Sequence, residues 1–305
     1  MGFKVFEKNR VIIGAAICCC LIMVVFPEIT ATASKEAINL WLNSVVPILL
    51  PFFIAANFLK NTGIVSRISP TIYPFVMGML SGYPMGARIA GDYYLSGCLS
   101  REQLYRVLSY SMITGPAFLI GTVGHEFLGS HQLGIVLAVS HYGGAMINRV
   151  FYGKDGEKKR RTGSGRSSDA ACRRGYYEIF TDAILDSFRS VAIILAYIMI
   201  FMIAVDLIQF SGFLRLAPTA EAAAVFKGFL EMTVGCNSLR MCQCSQLVKL
   251  TLASFMVTFG GLSVMGQSMS MLRGCGVSFK KLFLMKLTQG ILSAIIAFSL
   301  GAFVV

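Results

Sequence analysis

The stretch Ile68-Ser69-Pro70-Thr71-Ile72-Tyr73-Pro74-Phe75-Val76-Met77-Gly78-Met79-Leu80-Ser81-Gly82-Tyr83-Pro84-Met85-Gly86-Ala87 is apolar enough to enter a bilayer, yet prolines and glycines interrupt it repeatedly. Proline removes a backbone donor and breaks helical pairing, and in lipid a freed amide must find protein or trapped water. Such a segment predicts two half-helices meeting at a tip, a re-entrant hairpin continuing to about Cys98. Residues 226–244, broken at Thr233-Val234-Gly235-Cys236-Asn237, predict a second hairpin. Glycine landmarks link the two halves. Gly63 answers to Gly212, Gly78 to Gly228, Gly115 and Gly121 to Gly260 and Gly266, and Gly144 to Gly290, at intervals of 145 to 150 residues. A duplicated apolar chain with broken helices is the pattern of a transporter whose site lies at the repeat interface.

Composition sets the solvent. With 55% hydrophobic and 14% charged residues, and a mean hydropathy of +0.69, the chain is not a soluble domain but an all-α integral membrane protein. Residues 11–27, 37–59, 107–124, 127–148, 190–205, 250–272 and 287–305 contain no Asp, Glu, Lys or Arg. Most can span a hydrocarbon core of about 30 Å at about 1.5 Å per residue. The net charge of +12 gathers in loops, most densely at 154–174 with Lys158-Lys159-Arg160-Arg161 and Arg173-Arg174 among Gly and Ser. That reads as a flexible cytoplasmic linker and a topology signal, not a nucleic-acid surface. The nine cysteines, including Cys18-Cys19-Cys20 in an apolar run, read as small apolar residues and imply no disulfides.

Four segments follow: 1–36, an anchor helix and external loop; 37–152, a first repeat; 153–178, the linker; and 179–305, a second repeat. Ala31-Thr32-Ala33 resembles a signal-peptidase site, but the long apolar run before it favours an uncleaved anchor. With Lys4, Lys8 and Arg10 inside, three crossings per repeat carry the chain back to the basic linker and invert the second repeat. The expected location is a cell membrane, with the N-terminus and linker cytoplasmic.

Chemistry is expected at four breaks: Ser81-Gly82-Tyr83-Pro84-Met85-Gly86, Thr114-Gly115-Pro116, Thr233-Val234-Gly235-Cys236-Asn237 and Phe259-Gly260-Gly261-Leu262-Ser263. Each frees amides or carbonyls toward a cavity. Glu231 precedes the third break and reads as a ligand for a cation, a proton or a polar solute, or as an ion-pair partner of Arg240. Arg88 and Arg240 follow the two tips, and would either attract a carboxylate or phosphate or anchor helices at the interface. Tyr83, Asn237 and Gln267 are candidate polar contacts for a solute, or equally partners for exposed backbone. Cys236, Cys242 and Cys244 form a weaker soft-metal alternative; the spacing of His125, His131 and His141 demands no metal. No nucleophile elbow, zinc helix or phosphate loop occurs, so no catalytic residue and no enzyme activity are expected.

These motifs carry a family resemblance. Gly82-Tyr83-Pro84-Met85-Gly86-Ala87-Arg88, Thr114-Gly115-Pro116-Ala117-Phe118-Leu119-Ile120-Gly121, Gly228-Phe229-Leu230-Glu231-Met232-Thr233-Val234-Gly235 and Gly260-Gly261-Leu262-Ser263-Val264 resemble the membrane family that carries nucleoside-recognition, or Gate, domains. The nearest resemblance is to the sporulation integral membrane proteins of endospore-forming bacteria. It implies a fold similar to one protomer of concentrative nucleoside transporters, and movement of dipicolinic acid across the outer forespore membrane. The expected function is therefore transport of a small polar anion, with a coupling proton or Na+ and a homo-oligomeric or other membrane partner left open. A nucleoside transporter, a metal-ion permease and a non-transport protein of spore envelope assembly are the alternatives.

Overall fold

A computed structural model describes residues 13–14, 17, 20–62, 69–152 and 175–305, and among these every regular element is a helix. The basic linker at 154–174, residues Lys4 to Arg10, Cys18, Cys19, Gly63 and Arg67 lie outside the described residues. In chain order come α1 (Pro27–Leu40), a π-helical turn (Trp41–Val45), α2 (Val46–Asn61), α3 (Tyr73–Ser81), α4 (Met85–Leu95) and α5 (Arg101–Ser111). A π-helix (Ala117–Phe127) and α6 (His131–Phe151) follow. After the linker stand α7 (Tyr176–Phe210), α8 (Ala220–Leu230), α9 (Met232–Ser238), α10 (Gln246–Phe259), α11 (Gly261–Met271) and α12 (Phe279–Gly301).

Among the described residues three helical stretches are long and apolar enough to cross a membrane: Tyr176–Phe210, Gln246–Met271 and Phe279–Gly301. Their outward faces expose Leu185, Phe188 and Ile200 on α7, and Ile291, Ile295 and Phe298 on α12. Such large apolar surface suits lipid and not water. At about 1.5 Å per residue the 35 residues of α7 reach roughly 50 Å, well beyond a hydrocarbon core.

The expected crossing at 107–124 is not one helix. α5 stops at Ser111, residues 112–115 run without helical pairing, and helix resumes at Pro116, because proline has no N–H to give and disfavours helix in the residue before it. The expected crossing at 37–59 begins inside α1 and passes through the π-helical turn. α6 covers the expected crossing at 127–148 but carries His131, Gln132, His141, Asn148 and Arg149, and is more polar than the three spans.

The order of elements before the linker is repeated after it. A long helical stretch (α1–α2; α7) leads to a short pair that folds back on itself (α3 with α4; α8 with α9). An interrupted helix (α5 with the π-helix; α10 with α11) then leads to a long closing helix (α6; α12). A Cβ on Gly86 or on Gly78 would overlap the Ser111 carbonyl of α5, and one on Gly235 would overlap the Gly228 backbone of α8. The long elements pair with their counterparts, α1 and α2 lying along α7, and α6 along α12. Trp41 Nε1 donates to the Val191 carbonyl at 2.8 Å, and Asn57 Nδ2 donates to Ser187 Oγ at 2.8 Å. Polar ties of this kind hold helices together where apolar contact distinguishes poorly between neighbours and lipid.

Candidate functional site

The breaks converge on one cavity of about 140 Å³. Ser81, Gly82 and Tyr83 come from the α3–α4 tip, Thr114 and Gly115 from the gap after α5, and Glu231, Met232 and Thr233 from the α8–α9 tip. Gln267 and Val264 of α11 close one wall, and Leu49, Ile194 and Ile198 close another. The fourth break abuts it: a Cβ on Gly260 would stand 3.8 Å from Tyr83 Cζ, and one on Gly261 would stand 3.1 Å from the Leu230 carbonyl. Gly260 and Gly261 adopt φ 84° and 73°, a left-handed pair that glycine alone enters at little cost. Gly82, at φ 80°, turns the first tip in the same way.

Of the expected site residues, Ser81, Gly82, Tyr83, Thr114, Gly115, Glu231, Thr233 and Gln267 thus meet around one space. Ser263 stands one layer back, where its hydroxyl accepts from Gln267 Nε2 at 3.2 Å and steadies that side chain. The others are elsewhere. Gly86 lies against the Ser111 carbonyl of α5 and Gly235 against Gly228 of α8, where only hydrogen fits. Asn237 and Arg240 are exposed at the end of α9 and beyond it. Arg88 donates through Nη1 to Ser190 Oγ of α7, and lies over the Phe53 ring with Cζ 5.8 Å from its centroid. It holds α4 to α7 and α2, and is absent from the cavity lining.

Glu231 is 2% exposed and accepts from the Val234 amide at 2.9 Å as the N-cap of α9. No Lys or Arg among the described residues ion-pairs with it, so the alternative pairing with Arg240 does not form. Cys236 is buried among apolar side chains, and Cys242 Sγ donates to the Ser238 carbonyl. Among the described residues no group of three or more His, Cys, Asp or Glu side chains converges as metal ligands do.

A buried polar network behind the cavity escaped the sequence reading. His141 of α6, 1% exposed, accepts the Thr114 amide at Nε2 over 3.0 Å, so its hydrogen must sit on Nδ1. Nδ1 faces Thr258 Oγ1 at 2.8 Å, and Thr258 donates onward to Ser293 Oγ at 2.9 Å. Ser254 bridges Ser293 at 2.8 Å and Ser140 at 3.1 Å, and Ser140 ends the chain on the Leu137 carbonyl at 2.9 Å. Every hydroxyl can therefore donate in one direction, from the cavity wall into the seam of α6, α10 and α12. Lys286 of α12 is likewise buried. Its ammonium donates to Tyr83 Oη at 2.8 Å, to the Met112 carbonyl at 2.8 Å and to Gln289 Oε1 at 2.7 Å. Tyr83 in turn donates to the carbonyls of Thr258 at 3.0 Å or Val257 at 3.3 Å. A signal was present: Leu284-Met285-Lys286-Leu287 places the cation in an apolar run, although the expected last crossing began one residue later.

Comparison with known proteins agrees with this picture. The chain is similar to the sporulation integral membrane protein YlbJ of Bacillus subtilis (strain 168), 27% identical over 313 residues that cover 88% of this chain and 77% of the relative. With three helices long and apolar enough to cross a bilayer, the conclusion is direct. This is an integral membrane protein. No family model matches it, and no solved structure does.

Proposed function

We propose that this chain is a transporter that moves a small polar solute, anionic in character such as dipicolinic acid, across a membrane during sporulation. The single observation that carries the reading is that the interrupted helices of both halves supply most of the polar groups in the wall of one otherwise apolar cavity. Irregular backbone at membrane depth is tolerated where it lines such a space, and transporters place their sites there. The similarity to a sporulation membrane protein supports the setting. On this reading the Gate-like repeats at 37–152 and 179–305 are inverted relative to each other, and residues 1–36 form an anchor. The short pairs are re-entrant hairpins, the linker at 153–178 is cytoplasmic, and the outer forespore membrane is the site of action. The protein is then no enzyme, and it couples transport to a proton or Na+.

Uptake of labelled dipicolinate into proteoliposomes tests the proposal. Accumulation above empty vesicles that falls in Glu231→Gln is the expected result, and accumulation no greater than in empty vesicles refutes it. A nucleoside reading draws on one observation: among the described residues the lining includes Glu231, Thr233 and Gln267 and neither Lys nor Arg, a set suited to ribose hydroxyls and base edges. Under that reading nucleosides block uptake and dipicolinate does not.

A further inference from the structure

Leu49 of α2 and Ile194 of α7 line the cavity. Phe53 and Ser190 follow one helical turn away on the same two helices, outside the lining. Arg88 of α4 engages both, donating through Nη1 to Ser190 Oγ and lying over the Phe53 ring. One turn further along α4 and α7 stand Asp92 and Asp186, the two carboxylates whose charges act on the guanidinium. Burial falls in the same order: Phe53 and Ser190 are buried, Arg88 and Asp92 half-buried, and Asp186 exposed. Among the described residues Arg88 therefore stands between the cavity and the surface. A side chain, and not helix packing, makes this closure. α4 packs on α3, α5 and α11 and hardly at all on α7, so the guanidinium bridges a gap that the backbones leave open. Its inner partners are a neutral hydroxyl and a ring face, whereas its acidic neighbours lie on the outer side. It can leave Ser190 and Phe53 without stranding its charge.

We infer that Arg88 is a gate residue and not a solute ligand. Held by Ser190 and Phe53 it seals the passage between α4 and α7, and swung outward toward Asp92 and Asp186 it opens the cavity to that side of the membrane. The hairpin that carries Arg88 also delivers Ser81, Gly82 and Tyr83 to the cavity wall, so one element sets both the closure and part of the lining. The inference rests on the transport reading for its place in a cycle, but the closure itself is measurable with no solute present.

The test places a thiol in the cavity wall by Ser81→Cys, where the hydroxyl has no hydrogen-bond partner among the described residues to lose. Right-side-out and inside-out membrane vesicles carrying the full-length chain are treated with a membrane-impermeant maleimide. Modification at position 81 is read by peptide mass spectrometry, with the native Cys236, buried in the core, as the internal control. Adding Arg88→Ala should raise the rate at position 81 on the order of tenfold, the population shift that follows loss of one hydrogen bond from a charged group. The rise is expected in one vesicle orientation only, with Cys236 unchanged. An unchanged rate in both orientations overturns the inference; so does a rise in both, or one matched at Cys236, since either marks general loosening. If Arg88→Ala does not fold, Ser190→Ala removes the other end of the contact and is read by the same outcomes. Uptake of labelled dipicolinate into proteoliposomes separates the two claims. One-sided labelling without uptake would sink the transport reading alone, whereas uptake with labelling indifferent to Arg88 would sink only this inference.

Discussion

Replacing Tyr83 by Phe removes one of three acceptors from a buried ammonium and the donor to the Thr258 or Val257 carbonyl, while the ring remains to fill its place. Lys286 and Tyr83 Oη are 2.8 Å apart, and a hydrogen bond to a charged group contributes about 1.5–3 kcal/mol. Neutral hydrogen bonds between membrane helices average only about 0.6 kcal/mol, because the unfolded chain in lipid also finds partners. The charged bond should stand clear of that figure. Tyr83→Phe is expected to cost about 2 kcal/mol in the wild-type background and about 1 kcal/mol or less beside Lys286→Met, a coupling of about 1 kcal/mol or more. Lys286→Met by itself sheds the desolvation of a charge while leaving three acceptors unpaired, so it is a poor measure of the bond and a good partner for the cycle. Reversible unfolding in mixed micelles with increasing dodecyl sulfate gives the four free energies. The chain's single tryptophan, Trp41, held to Val191 across the α7 interface, is the fluorescent reporter. A coupling energy below about 0.6 kcal/mol would place the pair among ordinary neutral contacts and refute the account of Lys286 as a charged anchor of the first tip.

Other substitutions separate packing, capping and the buried network. Gly86→Ala forces a Cβ onto the Ser111 carbonyl and should destabilise by about 3 kcal/mol or more, seen as lost monodisperse protein in gel filtration, while Gly121→Ala, with nothing within 4 Å of the new Cβ, should be indistinguishable from wild type. Glu231→Gln keeps an oxygen for the Val234 amide and should stay within about 0.5 kcal/mol of wild type, while Glu231→Ala loses the cap and costs about 1 kcal/mol; equal losses in thermal unfolding would show that the cap is not what the carboxyl provides. Thr258→Val strands the His141 Nδ1 hydrogen and should cost about 1–3 kcal/mol, with Thr258→Ser recovering most of it. A valine variant as stable as wild type would mean that water replaces the hydroxyl.

The interruptions were legible because they are local. Pro116 ends pairing after α5, Gly82 and Gly260 take positive φ, and Glu231 falls at the kink before α9, and each effect is written in a residue and its immediate neighbours. The sequence left Arg88 open because its position is equally compatible with facing the cavity or a neighbouring helix. Its guanidinium reaches Ser190 and Phe53 instead. Lys286 was missed because a lysine beside Lys280 and Lys281 reads as one more basic residue at a membrane edge. Five residues of rise on a helix that leads inward separate the exposed Lys281 from the buried Lys286.

What the amino-acid order alone determines here is solvent and punctuation: a chain this apolar belongs in lipid, and its prolines and glycines dictate where helices must stop. Those depend on transfer free energy and backbone sterics, which act over a few residues. Tertiary structure decided which polar groups share a wall, that Glu231 has no cation beside it among the described residues and that Lys286 lies behind Tyr83. Those facts depend on the rotation of each helix about its axis and on crossings between segments some 200 residues apart, such as Tyr83 and Lys286, 203 residues apart. In a membrane, apolar faces do little to set such rotations, so small-residue contacts and a few buried hydrogen bonds must do so.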